Sequence, residues 1–333
     1  MNRSNITEVA KLAGVSASTV SRVTSGNAVV KPETRQRVQE AMEKLGYKPN
    51  SAAQSLSSKR SNTIGMVVAG LDGPFYGPMI AGVESSLRAR AKHLLIASGS
   101  GNTESEVEAV EFLLGRQVDG LILLTEWLEQ RYVAELLARI PVCMINQYYD
   151  GMDNRVMLLD DLDGGYRATK HLLDRGHKAI ACISAQEFKK DANDRLEGYK
   201  VALREAGIPV LDDLIVRTSF EVQGGIDGMD RLSKRGENFT AVVAGNDESA
   251  VGVYSWAKDH GLRIPDDISV IGYDDILLAR VLTPPLTTMH APNFDMAKRA
   301  ADSAFNEIYR KRLPLGGNFK TTLIERESVA TLI

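Results

Sequence analysis

Thr7-Glu-Val-Ala-Lys-Leu-Ala-Gly-Val-Ser-Ala-Ser-Thr-Val-Ser-Arg-Val23 decides how the rest of the chain is read. Its apolar residues Val9, Ala10, Leu12 and Ala13 recur at helical spacing behind Thr7, a residue able to cap a first turn. Gly14 stops that helix, because glycine reaches the left-handed conformation of a tight turn without a Cβ clash. Ser16 caps a second helix through Val20 and Val23. Pro32 suits the first position of a third helix, which turns Val38, Met42 and Leu45 inward and ends at Gly46. Two short helices joined by a glycine turn form a helix-turn-helix, here inside a three-helix headpiece.

The charge agrees. Residues 1–60 hold ten Lys/Arg against four Asp/Glu, a net +6. The remaining 273 residues hold 30 against 39, a net -9, so the overall -3 hides a basic module on an acidic body. That asymmetry points to nucleic acid. In a helix-turn-helix the second helix enters the major groove. Ala17, Ser18 and Arg22 then face base edges, with Ser16, Thr19 and Ser21 placed for phosphates. Arg22 matches the paired acceptors of guanine, O6 and N7. Thr7 and Asn50 complete the expected DNA-contacting set. The other use of such a module is protein contact.

Residues 49–63 are small and polar around one large apolar side chain, Leu56. They read either as a linker or as a hinge helix that forms on DNA and wedges Leu56 into a minor-groove step.

Beyond them, β-branched runs such as Thr63–Ala69, Gly120–Leu124, Val142–Asn146, Ala179–Ser184 and Ile268–Gly272 alternate with amphipathic stretches. That is βαβ repetition, hence an α/β fold of doubly wound parallel sheets. About eleven such units are too many for one sheet, so two lobes are expected, with ligand in the cleft beyond the strands' carboxyl ends. Polar groups cluster at those ends: Asp72, Asn146, Asp160 with Asp161, Asn246 with Asp247, and Asp274 with Asp275. Arg195 opens a helix after Asp191, and Phe75 and Tyr76 supply flat apolar rings. Carboxylates, amides and a guanidinium suit vicinal hydroxyls, and a ring suits a sugar's C–H face. Helix capping is the competing role for each acid.

Other classes lack their motifs. There is no Gly-x-Gly-x-x-Gly, Walker loop or Gly-x-Ser-x-Gly elbow, and the five histidines show no metal spacing. No catalytic residue, metal or cofactor is expected. Cys143 and Cys182 sit in apolar runs as buried thiols do, which suits a reducing cytoplasm. No apolar segment reads as a signal peptide or membrane helix.

Thr7–Val23, Leu45-Gly-Tyr-Lys-Pro-Asn50 and Ser55-Leu56 together resemble the opening of the LacI/GalR family of bacterial repressors. Asp194-Arg-Leu-Glu-Gly-Tyr199, Gly245–Gly252, Ile264–Asp275 and Pro284-Pro-Leu-Thr-Thr288 resemble its later blocks in order. The resemblance implies a headpiece (1–48), a hinge (49–60) and a periplasmic-binding-protein-like core (61–333) whose chain crosses between lobes three times. Lobe 1 then covers about 61–161 and 292–321, and lobe 2 about 162–291 and 322–333. It also implies a homodimer on operator DNA, released by a mono- or disaccharide. By the same analogy, effector contacts fall on Phe75, Asp160, Arg195, Asn246 or Asp247, and Asp274, and the aromatic wall that relatives place before Gly224-Gly225 falls near Phe220. The galactose-repressor branch is most similar, with two departures at the ligand: Gln147 stands where that branch has arginine, and Asp72-Gly-Pro-Phe-Tyr76 inserts a residue before Pro-Phe. A purine-type corepressor, which recruits DNA rather than releasing it, is the alternative within the family. A sugar-binding enzyme or transport receptor is the alternative outside it. The family's leucine-rich tetramer tail has no counterpart in Ser328–Ile333.

Overall fold

The computed structural model describes residues 5–25, 30–47, 60–71, 73–99, 101–152 and 154–332. Asn5, rather than Thr7, caps the first helix, α1 (Ile6–Ala13). Its side chain accepts the N–H groups of Thr7 and Glu8, and Glu8 returns its carboxylate to the Asn5 N–H. A residue just outside the helix reaches these orphan donors, whereas Thr7 already lies within the first turn. Gly14 ends α1 at φ +65°. Ser16 caps α2 (Ala17–Ser25), its hydroxyl accepting the Thr19 N–H at 3.2 Å. α3 (Pro32–Leu45) carries Pro32 in its first turn and stops at left-handed Gly46.

Val9, Ala10, Ala13, Val20, Val38 and Ala41 form the buried core of these helices, with Met42 and Leu45 packed at its edge. Leu12, expected inside, is 46% exposed, because it falls outside the arc that Val9, Ala10 and Ala13 span. The DNA contacts expected of Asn50 and Leu56, and the cleft contact expected of Asp72, lie outside the described residues.

Residues 1–63 with 117–119 make one compact unit and the rest of the chain another. The larger unit contains two six-stranded sheets. The first runs in the order β11 (Gly317–Phe319), β5 (Val156–Leu159), β4 (Val142–Ile145), β3 (Leu121–Leu124), β1 (Thr63–Val68), β2 (His93–Ser98). The second runs β12 (Thr322–Ile324), β10 (Thr287–His290), β9 (Ser269–Asp274), β8 (Ala241–Ala244), β6 (Ile180–Ala185), β7 (Ile215–Thr218). Central strands such as Leu121–Leu124 and Ile180–Ala185 are buried at every position, as strands covered on both faces must be. The chain passes from the first sheet to the second after β5, returns after β10, and crosses again between β11 and β12.

The intervening helices are α4 (Tyr76–Arg88), α5 (Thr103–Gly115), α6 (Gln130–Arg139), α7 (Asp161–Asp174), α8 (Lys190–Glu205), α9 (Val222–Arg235), α10 (Asp247–Asp259), α11 (Leu277–Val281) and α12 (Asn293–Arg310). The strands missing from the sequence reading are β7, β10, β11 and β12, each four residues or fewer. β3 and β4 are as short but are unbroken apolar runs. The missed strands mix in Arg217, Thr218, Thr287, Thr288, His290, Asn318 or Thr322 and so carry no clear apolar signal. Cys143 and Cys182 are buried free thiols on β4 and β6, and burial pushes both up to about 12. Among the described residues no helix is long and apolar enough to cross a membrane.

Candidate ligand-binding cleft and DNA-reading helix

Arg195 organises the cleft. It was expected at the start of its helix, but α8 begins at Lys190, so Arg195 lies in the second turn, behind Asp191 in the first. Asp191 suits that place because a helix N-terminus favours an anion. Glycine brings α8 close to α7: a Cβ on Gly165 would lie 2.1 Å from the Arg195 carbonyl, and one on Gly198 would lie 2.2 Å from the Leu162 carbonyl. This approach lets Arg195 Nε donate to Asp161 Oδ1 at 2.8 Å while Nη1 donates to the Gly245 carbonyl at 2.8 Å. Asp191 and Asp274 stand 3.6 and 3.9 Å from Nη2. The guanidinium lies 3.7 Å from the centre of the Tyr273 ring and 5.5 Å from that of Phe220.

The cluster is buried, with electrostatic consequences. Burial raises the Asp161 and Asp274 carboxyls, and the Arg195 cation pulls both back. Burial also opposes the Arg195 cation, but the carboxylates, Asp161 foremost, outweigh it and hold the guanidinium pKa above its ordinary range.

A cavity of about 430 Å³ opens over this cluster. Phe75, Tyr76, Glu126 and Trp127 of the first lobe and Phe188, Lys189, Asp191, Arg195, Phe220, Asn246 and Asp274 of the second line it. Asn146 lines a smaller pocket of about 50 Å³ that shares Phe75, Tyr76, Glu126, Phe188, Lys189 and Asp191. Phe75 and Tyr76 meet edge to face, with ring centroids 5.3 Å apart. Of the expected effector residues, Phe75, Tyr76, Asn146, Arg195, Phe220, Asn246 and Asp274 are thus brought together.

Asp160 and Asp247 are not. Asp160 is exposed and caps α7, accepting the Asp163 N–H at 3.1 Å, while its neighbour Asp161 turns inward to Arg195. Asp247 is fully buried, accepting the Thr288 hydroxyl at 2.6 Å and the Ile276 N–H at 2.8 Å. Both are fastening groups, since a strand-end acid followed by a helix caps or ties more readily than it reaches a ligand. Asn246 does both: it caps α10 through the Ser249 N–H and hydroxyl, donates to the Phe220 carbonyl, and lines the cavity.

Among the described residues, seven buried side-chain polar atoms lack a hydrogen-bond partner. Thr125 Oγ1 and Asn146 Oδ1 belong to residues lining the smaller pocket, and Asp274 Oδ1 to one lining the larger cavity. Asn146 follows β4 and Asp274 ends β9, strands of opposite lobes, and their backbones sit at φ +61° and +104°. Such conformations strain a residue with a Cβ and persist where they aim a side chain. Sequence reasoning missed Glu126, Trp127, Phe188 and Lys189. They lie within four residues of the ends of β3 and β6, where the strand-end rule, extended from polar groups to aromatic ones, would have found them.

In the headpiece, Ala17, Ser18, Ser21 and Arg22 form the exposed face of α2. Val20 is buried and Thr19 half-buried beside it. Ser16 is engaged with Ser18 and Thr19 hydroxyls at 2.8 and 2.9 Å.

A helix-turn-helix with an exposed small-residue and arginine face, carried on a two-lobed α/β core with a polar cleft, defines a DNA-binding regulator of transcription. Residues 5–50 match the bacterial regulatory proteins of the lacI family, and residues 169–329 match the periplasmic binding protein-like domain. The chain is 38% identical to the HTH-type transcriptional regulator GalR of Escherichia coli K12 over 98% of its length and 96% of that protein's. It is also 38% identical to the ribose operon repressor of the same organism, over 92% and 93% of the two chains. Its structure superposes with a TM-score of 0.88 and 26% identity on a lac repressor dimer bound to operator and the anti-inducer ONPF, covering 99% of this chain and all of that one. The chain belongs to the lacI family of bacterial regulatory proteins.

Proposed function

We propose that the chain is a homodimeric, cytoplasmic repressor of carbohydrate-utilisation genes that leaves its operator when a small sugar occupies the cleft. In this reading residues 1–48 bind DNA, 49–60 form the hinge and 61–333 sense the effector. Arg22 reads a base pair and Leu56 wedges the minor groove. The observation that carries the sugar assignment is the cavity between the lobes, lined by residues whose buried oxygens make no hydrogen bond. These are Asn146 Oδ1 and Asp274 Oδ1, the latter held only by the Arg195 cation at 3.9 Å. An acceptor buried without a donor is costly, and a sugar hydroxyl supplies that donor. Arg195 offers ring-flanked polarity beside them, and Phe75, Tyr76 and Phe220 offer faces for C–H groups. A relative named for the ribose operon supports the ligand class, and a relative solved as a dimer on operator supports the assembly. The apolar Leu277, Leu278 and Val281 of α11, all exposed, give the core a surface for a second copy. Function then needs binding alone, with no chemical step.

Thermal melting of the full chain against sugars, sugar phosphates and purines tests this. A ligand at 100 times its Kd adds about 2.7 kcal/mol of stability. The expected result is a shift with a neutral sugar that disappears in Asp274→Asn, together with release of operator DNA by the same sugar. A shift only with a purine, accompanied by tighter operator binding, overturns both the effector class and the sign of control.

A further inference from the structure

Trp127 follows β3 in the first lobe and Phe188 follows β6 in the second, yet their rings meet with centroids 4.2 Å apart and planes tilted by 36°. Their neighbours repeat the join. Lys189 Nζ and the Glu126 carboxylate form an ion pair whose side chains are 19% and 29% exposed. The ring contact lies at the rim, since Phe188 is 46% exposed and still lines the cavity.

Neither half hangs on a loose loop. Glu106 of α5, itself fully buried, accepts the N–H groups of Glu126 and Trp127 at 2.8 and 2.9 Å. The Thr103 hydroxyl donates to the Trp127 carbonyl at 3.1 Å. On the other side, Phe188 and Lys189 lead straight into α8, which carries Asp191 and Arg195. A buried carboxylate is tolerated only when hydrogen-bonded, so Glu106 is committed to the shape of the Glu126–Trp127 turn. It is a positioning residue.

We propose that this interlobe clasp selects ligands by length: the closed cleft encloses a single sugar ring, and a second ring must break the Trp127–Phe188 contact. The inference rests on the cleft reading above and narrows it. The cavity of about 430 Å³ is toward the small end for small-molecule sites, which run from ~300 to 1,000 Å³. Trp127 and Phe188 both line the cavity, so a second sugar ring extended toward that rim has to part them. The stack and the ion pair exist only while the lobes are together, so displacing them weakens closure itself. Discrimination therefore comes from a penalty on the wrong ligand as much as from contacts to the right one.

Calorimetric titration of the full chain with D-ribose, D-galactose and D-glucose, and with lactose, melibiose and cellobiose, tests this. The native chain is expected to bind one monosaccharide more tightly than any disaccharide, by about tenfold or more. Phe188→Ala, an exposed truncation that leaves the core intact, should weaken the monosaccharide and close most of that gap. Trp127→Ala should do the same, and Glu106→Gln should move the ratio in the same direction by less. A disaccharide bound as tightly as the best monosaccharide by the native chain overturns the inference, as does an unchanged ratio in both aromatic variants. Binding of no sugar in the panel, or sugar binding undiminished in Asp274→Asn, overturns the cleft reading instead, and this inference falls with it.

Discussion

Burial pushes the Asp247 carboxyl up to about 7, although hydrogen bonds from Thr288 and Ile276 favour its anion. The folded protein therefore keeps a proton that the unfolded chain gives up near its ordinary value of 3.8. Stability from this group is full below that value and is lost as pH rises toward 7. At 1.36 kcal/mol per unit the loss is about 4 kcal/mol at most. Asp247→Asn keeps an acceptor for the Ile276 N–H and meets the Thr288 hydroxyl, now as acceptor, with an amide N–H, without the charge. Urea midpoints taken from pH 4.5 to 8 should fall in the native chain and stay flatter in the variant. An equal slope in both would assign the pH dependence elsewhere. Arg195 is the opposite case, because removing it strands Asp161 and Asp274 in the interior. Arg195→Ala should cost about 3–5 kcal/mol in urea unfolding, whereas Asp274→Asn removes one excess carboxylate and should cost little.

Among the elements, α1 and α2 have separable tasks. α1 is fastened by the reciprocal Asn5–Glu8 cap, so Asn5→Ala should destabilise the headpiece by about 1 kcal/mol. Faster hydrogen exchange confined to the amides of residues 6–25 would report it. α2 presents Arg22 on an exposed face. Arg22→Ala should cost about 1–3 kcal/mol of operator discrimination, read by competition between operator and scrambled duplexes. Equal losses on both duplexes would reduce Arg22 to a phosphate contact.

For the whole molecule, if the core senses a sugar as proposed, it and the basic first 60 residues are linked by reciprocity. If a sugar weakens operator affinity by some factor, operator must weaken sugar affinity by the same factor. Titrating the sugar with and without operator duplex checks this, and unequal factors would mean a third state. Operator affinity should also fall steeply with salt, by about 0.9 in log–log slope for each phosphate neutralised.

The sequence by itself determined the headpiece, the βαβ core and the polar strand ends, because each is a local matter. A glycine at a helix end, a 3.6 or unbroken apolar period and an acid after a strand are visible without knowing what packs against them. Thr7 was mistaken for the cap because Asn5 satisfies the same donors from one position further out. Asp160, Asp161, Asn246 and Asp247 look alike as neighbours along the chain. Only the tertiary structure turned Asp161 toward Arg195 and left Asp160 outside, and it tied Asp247 to Thr288, 41 residues away. The Trp127–Phe188 clasp was equally illegible, since it exists only where two lobes bring distant strand ends together. Periodicity specifies which side of an element is buried. The partner on that side depends on where the chain returns, and this chain crosses between its sheets three times before the cleft is complete.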